Sequence, residues 1–113
     1  MTQSTALLVT LAIEVPIVVG LTVAGRWPRR DVLRLGVTAI GASLLTHPLL
    51  WLADAALQSR LAWAPRVALL EVGVTLLEAA AYAIAGRAGW PRGLLLSLVA
   101  NAASLGTGLL LYA

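Results

Sequence analysis

Five polar side chains stand inside runs of otherwise apolar residues, and their types are those that hold protons, cations or metal ions. Glu14 interrupts the run 5–25, His47 the run 35–53, Glu71 and Glu78 the run 67–86, and Asn101 the run 93–112. Glu71, Thr75, Glu78 and Tyr82 follow one another at intervals of four, three and four, which sets all of them on one face of a helix. An acid near the centre of a bilayer-spanning helix is unfavourable by about 2.5 to 3.5 kcal/mol on insertion scales, so each carboxyl needs a partner or a proton. The chemistry on offer is exchange of a proton for a cationic solute on Glu14 or Glu78, with His47 and Asn101 as hydrogen-bond partners.

The neighbouring backbone adds to this. Pro16, two residues after Glu14, lacks the amide that would bond the Ala12 carbonyl, which leaves an acceptor beside the acid and favours a kink. Pro48 frees the Leu44 carbonyl in the same way and disfavours helical geometry at His47, the one histidine of the chain. Ser97, Asn101, Ser104 and Gly108 repeat the spacing of the acidic stripe in neutral form. Stripes of this kind join helices through small residues and hydrogen bonds worth about 0.6 kcal/mol each. Asn101 alone among them is large enough to reach a ligand or Glu78.

Depth follows from a rise of about 1.5 Å per residue counted from the centre of each run. Glu14, Glu78 and Asn101 share the middle, His47 falls slightly to one side, and Glu71 lies about 9 Å toward that same end. The polar groups therefore trace a path into one leaflet, expected to be the outer, with the other half closed by Leu, Val and Ala. Glu78 is the stronger candidate for chemistry, and Glu71 belongs at the mouth.

A divalent-metal site on Glu14, His47 and Glu78 is the competing chemistry, because carboxylates and an imidazole on facing helices of a bundle can hold such an ion. It ranks below transport. Glu71 and Glu78 are about 10 Å apart along a helix, and no Glu-x-x-His pair is present. No nucleophile constellation or glycine-rich phosphate loop points to an enzyme, and no cofactor is specified. The third reading is a structural or assembly subunit, whose polar seam only holds helices together or docks a larger membrane complex.

The elements that must carry these residues are four runs of roughly 20 residues, each the length that crosses about 30 Å of hydrocarbon as a helix. The chain of 113 residues is 60% hydrophobic and 12% charged, with a mean hydropathy of +0.92. Ordinary soluble domains hold about a quarter charged residues. The expectation is an all-α integral membrane protein, a single domain over 1–113 with spans at 5–25, 35–53, 67–86 and 93–112. The first run reads as a retained span, since its arginines follow the apolar segment where a signal peptide would place them before it.

The net charge of +3 comes from eight arginines without a lysine, all at the ends of the apolar runs. That placement marks them as topology determinants and excludes a nucleic-acid partner. The first and third connections hold six of them and the second holds two, which puts both termini outside, with a bacterial cytoplasmic membrane as the expected location. Trp27, Trp51, Trp63 and Trp90 fall at the run ends, where indoles favour the headgroup region. The connection 54–65 contains ALQSRLAW and is expected to form a short interfacial helix. No cysteine is present, which removes disulfides and thiolate chemistry.

Sliding the chain against itself by 61 positions aligns Ala24-Gly25-Arg26 with Ala85-Gly86-Arg87 and Ala42-Ser43-Leu44 with Ala103-Ser104-Leu105. Trp27-Pro28-Arg29 matches Trp90-Pro91-Arg92 after a two-residue insertion. The pattern suggests two helical hairpins repeated in parallel about an axis along the membrane normal. Transport by so few spans implies a homo-oligomer.

In its length, its four spans and the pair Glu14-Val15 mid-way along the first, the chain resembles the small multidrug resistance transporters. It departs from them in lacking aromatic-rich second and third spans, in carrying two further acids in the third, and in an arginine bias too strong for antiparallel pairing. The family is not assigned on these residues.

Overall fold

Long stretches of Leu, Ala and Val with few breakers favour helix throughout, and the computed structural model, which describes residues 2–112, is helical with short turns. It consists of α1 (Gln3–Ala24), α2 (Arg29–Leu57), α3 (Trp63–Ile84) and α4 (Trp90–Tyr112), with no strand among the described residues. Thr2 caps α1, its hydroxyl accepting from the Thr5 amide at 3.1 Å. Asp31 in the first turn of α2 complements the positive helix end and pairs with Arg34 at 3.1 Å.

The chain leaves α1 and α3 by similar turns. Arg26 and Arg87 each follow a glycine and take the left-handed conformation, with φ of 58° and 56°. Their amides bond back to the Val23 and Ile84 carbonyls at 3.0 and 3.3 Å. Gly86 is obligatory for packing: an added Cβ would lie 2.5 Å from Leu35 Cδ2 and 2.8 Å from the Tyr82 carbonyl oxygen.

Each helix packs on two neighbours and none on the helix diagonal to it: α1 touches α2 and α4, and α3 touches the same two. Consecutive helices run antiparallel, so the result is an up-down-up-down four-helix bundle of 46 × 25 × 18 Å. One half is solid. Val18, Leu35, Ala39, Tyr82, Leu96 and Ala100 form its core, covered by Trp27 and Ala88 at the arginine-rich end. Large apolar side chains cover the outside, with Leu45 73% and Leu110 88% exposed, whereas Glu14, Ser43, His47, Glu78, Ser97 and Asn101 are buried. All four helices are long and apolar enough to cross a membrane. A polar interior inside an apolar coat is compatible with an integral membrane protein.

Several boundaries differ from the sequence expectation. Helix α2 covers 29 residues where 35–53 was expected, because helix formation continues through Arg29–Arg34 and Asp54–Leu57 beyond the apolar run that hydropathy detects. No separate helix forms in 54–65. The tail of α2 takes the first residues, Arg66 bonds Asp54 at 2.7 Å and the Leu61 carbonyl at 3.2 Å, and α3 already begins at Trp63. Pro48 does not interrupt α2 at His47, nor does Pro16 interrupt α1; both prolines lie inside continuous helices. Trp51 sits within α2 and not at its end, whereas Trp63 and Trp90 open α3 and α4.

Candidate functional site

Helical spacing sets polar residues of every helix toward the bundle axis. On α1 the buried face is Glu14, Val18 and Thr22, at steps of four. Thr22 satisfies itself by donating to the Val18 and Val19 carbonyls. Glu14 has no such local acceptor or donor and faces Ser43 of α2 and Glu78 of α3. Both carboxyls are 1% exposed.

Asn101 of α4 stands beside Glu78. Its amide donates to the Ser97 carbonyl at 2.9 Å and to Ser97 Oγ at 3.1 Å, and Ser97 Oγ donates in turn to the Thr75 carbonyl of α3 at 2.6 Å. That chain of bonds fixes α4 against α3 at the depth of the acids. The acids themselves gain no bond from it. Glu14 Oε1, both oxygens of Glu78, Ser43 Oγ and Tyr82 OH are buried without a protein partner. Buried polar atoms are rarely left so, and among these the carboxyls of Glu14 and Glu78 and the Ser43 hydroxyl lie against one another.

Charge points the same way. The ion pairs among the described residues, Arg34 with Asp31 and Arg66 with Asp54, lie at the bundle ends and leave Glu14 and Glu78 without a cationic neighbour. Two carboxylates side by side in low dielectric repel, so the pair requires a proton or an external cation.

Glu14, His47, Glu71, Glu78 and Asn101 all line one cavity of about 40 Å³ with Thr10 and Ser104. A volume of this order accommodates a few water molecules or one small cationic group. Toward the α2–α3 end it meets a wider chamber of about 260 Å³, which shares Thr10, His47 and Glu71 and is walled by Trp51, Trp63, Val67 and Leu105. Glu71, half-buried, stands where the two join. The other direction is closed by the apolar core.

His47 is less available than its depth suggests. Trp51 Nε1 donates to its Nε2 at 3.1 Å, so Nε2 is unprotonated and its lone pair is occupied. Among the described residues no three His, Cys, Asp or Glu side chains are placed to hold a metal ion. The metal expectation for Glu14, His47 and Glu78 gains no support there, although the three share a cavity wall. Thr10 and Thr46 are polar lining residues that sequence reasoning missed, although Thr10 precedes Glu14 by one turn on the same face and Thr46 adjoins His47. Tyr82 belongs to the acidic stripe by its spacing, whereas Ser43, which enters the sequence reading only through the repeat, joins the acids by its buried, unpartnered hydroxyl.

Comparison with known family profiles, characterised proteins and solved structures finds no match to this chain.

Proposed function

We propose that this chain is an integral membrane protein in which the Glu14–Glu78 pair exchanges protons for a small cationic solute, binding that is coupled to transport. The observation that carries the reading is a pair of carboxyls, each 1% exposed and short of partners, at the floor of a cavity open toward one end of the bundle. A cationic group replaces the proton there, while Trp51, Trp63 and Val67 offer its apolar part a wall. His47 and Asn101 orient, and Glu71 attracts cations at the mouth.

The arginine bias places the α1–α2 and α3–α4 turns in the cytoplasm, so the chamber faces outward, with a bacterial cytoplasmic membrane as the setting. The bundle also arose by duplication of a hairpin. Supporting this, core residues pair at the same 61-residue offset: Val18 with Ala79, Leu35 with Leu96, Ala39 with Ala100, and Trp27 with Ala88. The left-handed Arg26 and Arg87 keep that offset too. The apolar coat makes association into a homo-oligomer the expected state. A structural role in a larger complex is favoured by Gly41 and Gly73, which face open space and leave smooth surfaces for another helix.

The test is calorimetry of the purified protein with primary and quaternary ammonium ions in buffers of differing ionisation enthalpy. Binding by the wild type releases protons, and Glu14→Gln or Glu78→Gln abolishes the release while the fold persists. Absence of proton release from the wild type across the series, with all variants stable, refutes the reading.

A further inference from the structure

The end of the bundle opposite the acid cavity carries a second cleft, of about 250 Å³, between the α1–α2 and α3–α4 turns. Arg26, Arg87 and Arg92 line it with Trp27 and Asp31. Arg92 lies over the Trp27 ring at 4.8 Å from its centre, which fixes one guanidinium in place. Arg26 and Arg87 approach from the two turns, both in a left-handed conformation that glycine or asparagine would adopt with less strain. Three arginines from separate segments thus border one space, and none of them has a carboxylate within ion-pair distance among the described residues. The one acid in the lining, Asp31, is already paired with Arg34. Helices α2 and α4 both begin at this end, and their amino termini add positive potential.

Arginines that served topology alone would need only to lie on this side of the bundle, spread through solvent. Convergence on a shared cleft, with one guanidinium stacked on an indole, is the arrangement that grips a phosphate group by paired N–H donors. We infer that the cleft bordered by Arg26, Arg87 and Arg92 binds a phosphate group, carried either by an anionic phospholipid or by a free phosphate compound. Exposed Trp90 and Leu94 in the first turns of α4 give acyl chains an apolar surface at the same end. The inference stands apart from the carboxyl site; only its lipid form rests on the membrane placement.

The experiment uses the full chain in neutral detergent, titrated separately with inorganic phosphate, short-chain phosphatidylglycerol and short-chain phosphatidylcholine, following tryptophan fluorescence and thermal midpoint. Saturable binding of phosphatidylglycerol alone identifies a lipid headgroup site, and binding of inorganic phosphate as well identifies a site for free phosphates. In either case Arg26→Asn with Arg87→Asn, chosen because asparagine tolerates the left-handed conformation, weakens binding by about tenfold or more, the loss of at least one charge-assisted contact. Arg92→Gln, an exposed change within a helix, weakens it to a similar degree, and Arg60→Gln at the far end leaves it unchanged. No saturable response to either anionic probe, equal affinity in all variants, or a loss in Arg60→Gln as large as in the others overturns the inference.

Discussion

Gly93→Ala isolates the contact on which the geometry of the site depends. A Cβ at Gly93 would lie 2.8 Å from the Ala79 carbonyl oxygen and 2.9 Å from the Ala83 amide nitrogen. Both obstacles are backbone, so no side-chain rotation relieves them, and α4 must withdraw from α3 by about 0.6 Å to reach ordinary contact. Overpacking of this kind costs about 1–3 kcal/mol. Helix propensity pulls the other way by at most about 1 kcal/mol in favour of alanine. The net effect is a loss of up to about 2 kcal/mol, read as a lower thermal midpoint in detergent. Because Glu78 precedes Ala79 and Tyr82 precedes Ala83, the same withdrawal shifts the site and stretches the Ser97–Thr75 bond. Cation affinity should therefore fall along with stability. Gly106→Ala on the same helix is the control, since nothing lies within 4 Å of the added methyl, and it should leave both quantities unchanged or raise stability. Equal midpoints and equal affinities for the two variants would refute the argument that close α3–α4 approach positions the acids.

Glu78→Gln should unfold at or above the wild-type temperature, with a gain of up to about 1 kcal/mol, because it relieves repulsion from Glu14 and gives Ser43 and Tyr82 a neutral neighbour; a large loss of stability would make the carboxylate a structural group. Ser97→Ala removes what is, among the described residues, the one side-chain bond from α4 to the α3 backbone, and its cost should be near 0.6 kcal/mol by chemical or thermal unfolding. Trp51→Phe takes the donor from His47 Nε2, and the imidazole nitrogen resonances should then report a mixture of tautomers where the wild type shows one. A tag at the C-terminus should label from outside intact cells; labelling only after permeabilisation would reverse the orientation drawn from the arginines.

The helix count and the inward face of each helix were legible in the sequence because a bilayer-length apolar run tolerates few polar residues, and those few must face inward. Glu14, Glu71, Glu78 and Asn101 were found by that exclusion, and they meet at one cavity. The ends of α2 were not legible. Hydropathy falls off at Leu35 and Ala53, whereas backbone hydrogen bonding runs on through charged turns to Arg29 and Leu57. The engagement of His47 by Trp51 was likewise hidden: an i, i+4 pair is readable, but the indole was assigned to the membrane surface by its nearness to the end of the run. Thr10 carried no signal by type, since threonine in apolar helices usually bonds its own backbone, as Thr22 does.

The proposed duplication bears on the stoichiometry of binding. At the 61-residue offset two pairs of the solid half keep like opposite like, Leu35 with Leu96 and Ala39 with Ala100. In the hollow half the partners diverge: Glu14 matches Thr75, Glu71 matches Thr10, and His47 matches Gly108, while Ser43 still matches Ser104. A pseudo-twofold site would have two equivalent acidic layers. Here each layer retains an acid on one side only, so one chain encloses one site, with all four helices contributing to its wall. Association into oligomers then adds copies without completing any of them. Cation binding should accordingly titrate to one per chain, and assemblies formed from wild-type and Glu78→Gln chains should lose capacity in linear proportion to the variant fraction. A loss steeper than linear would mean that neighbouring chains share the carboxyls, and the single-chain site drawn from these residues would fall.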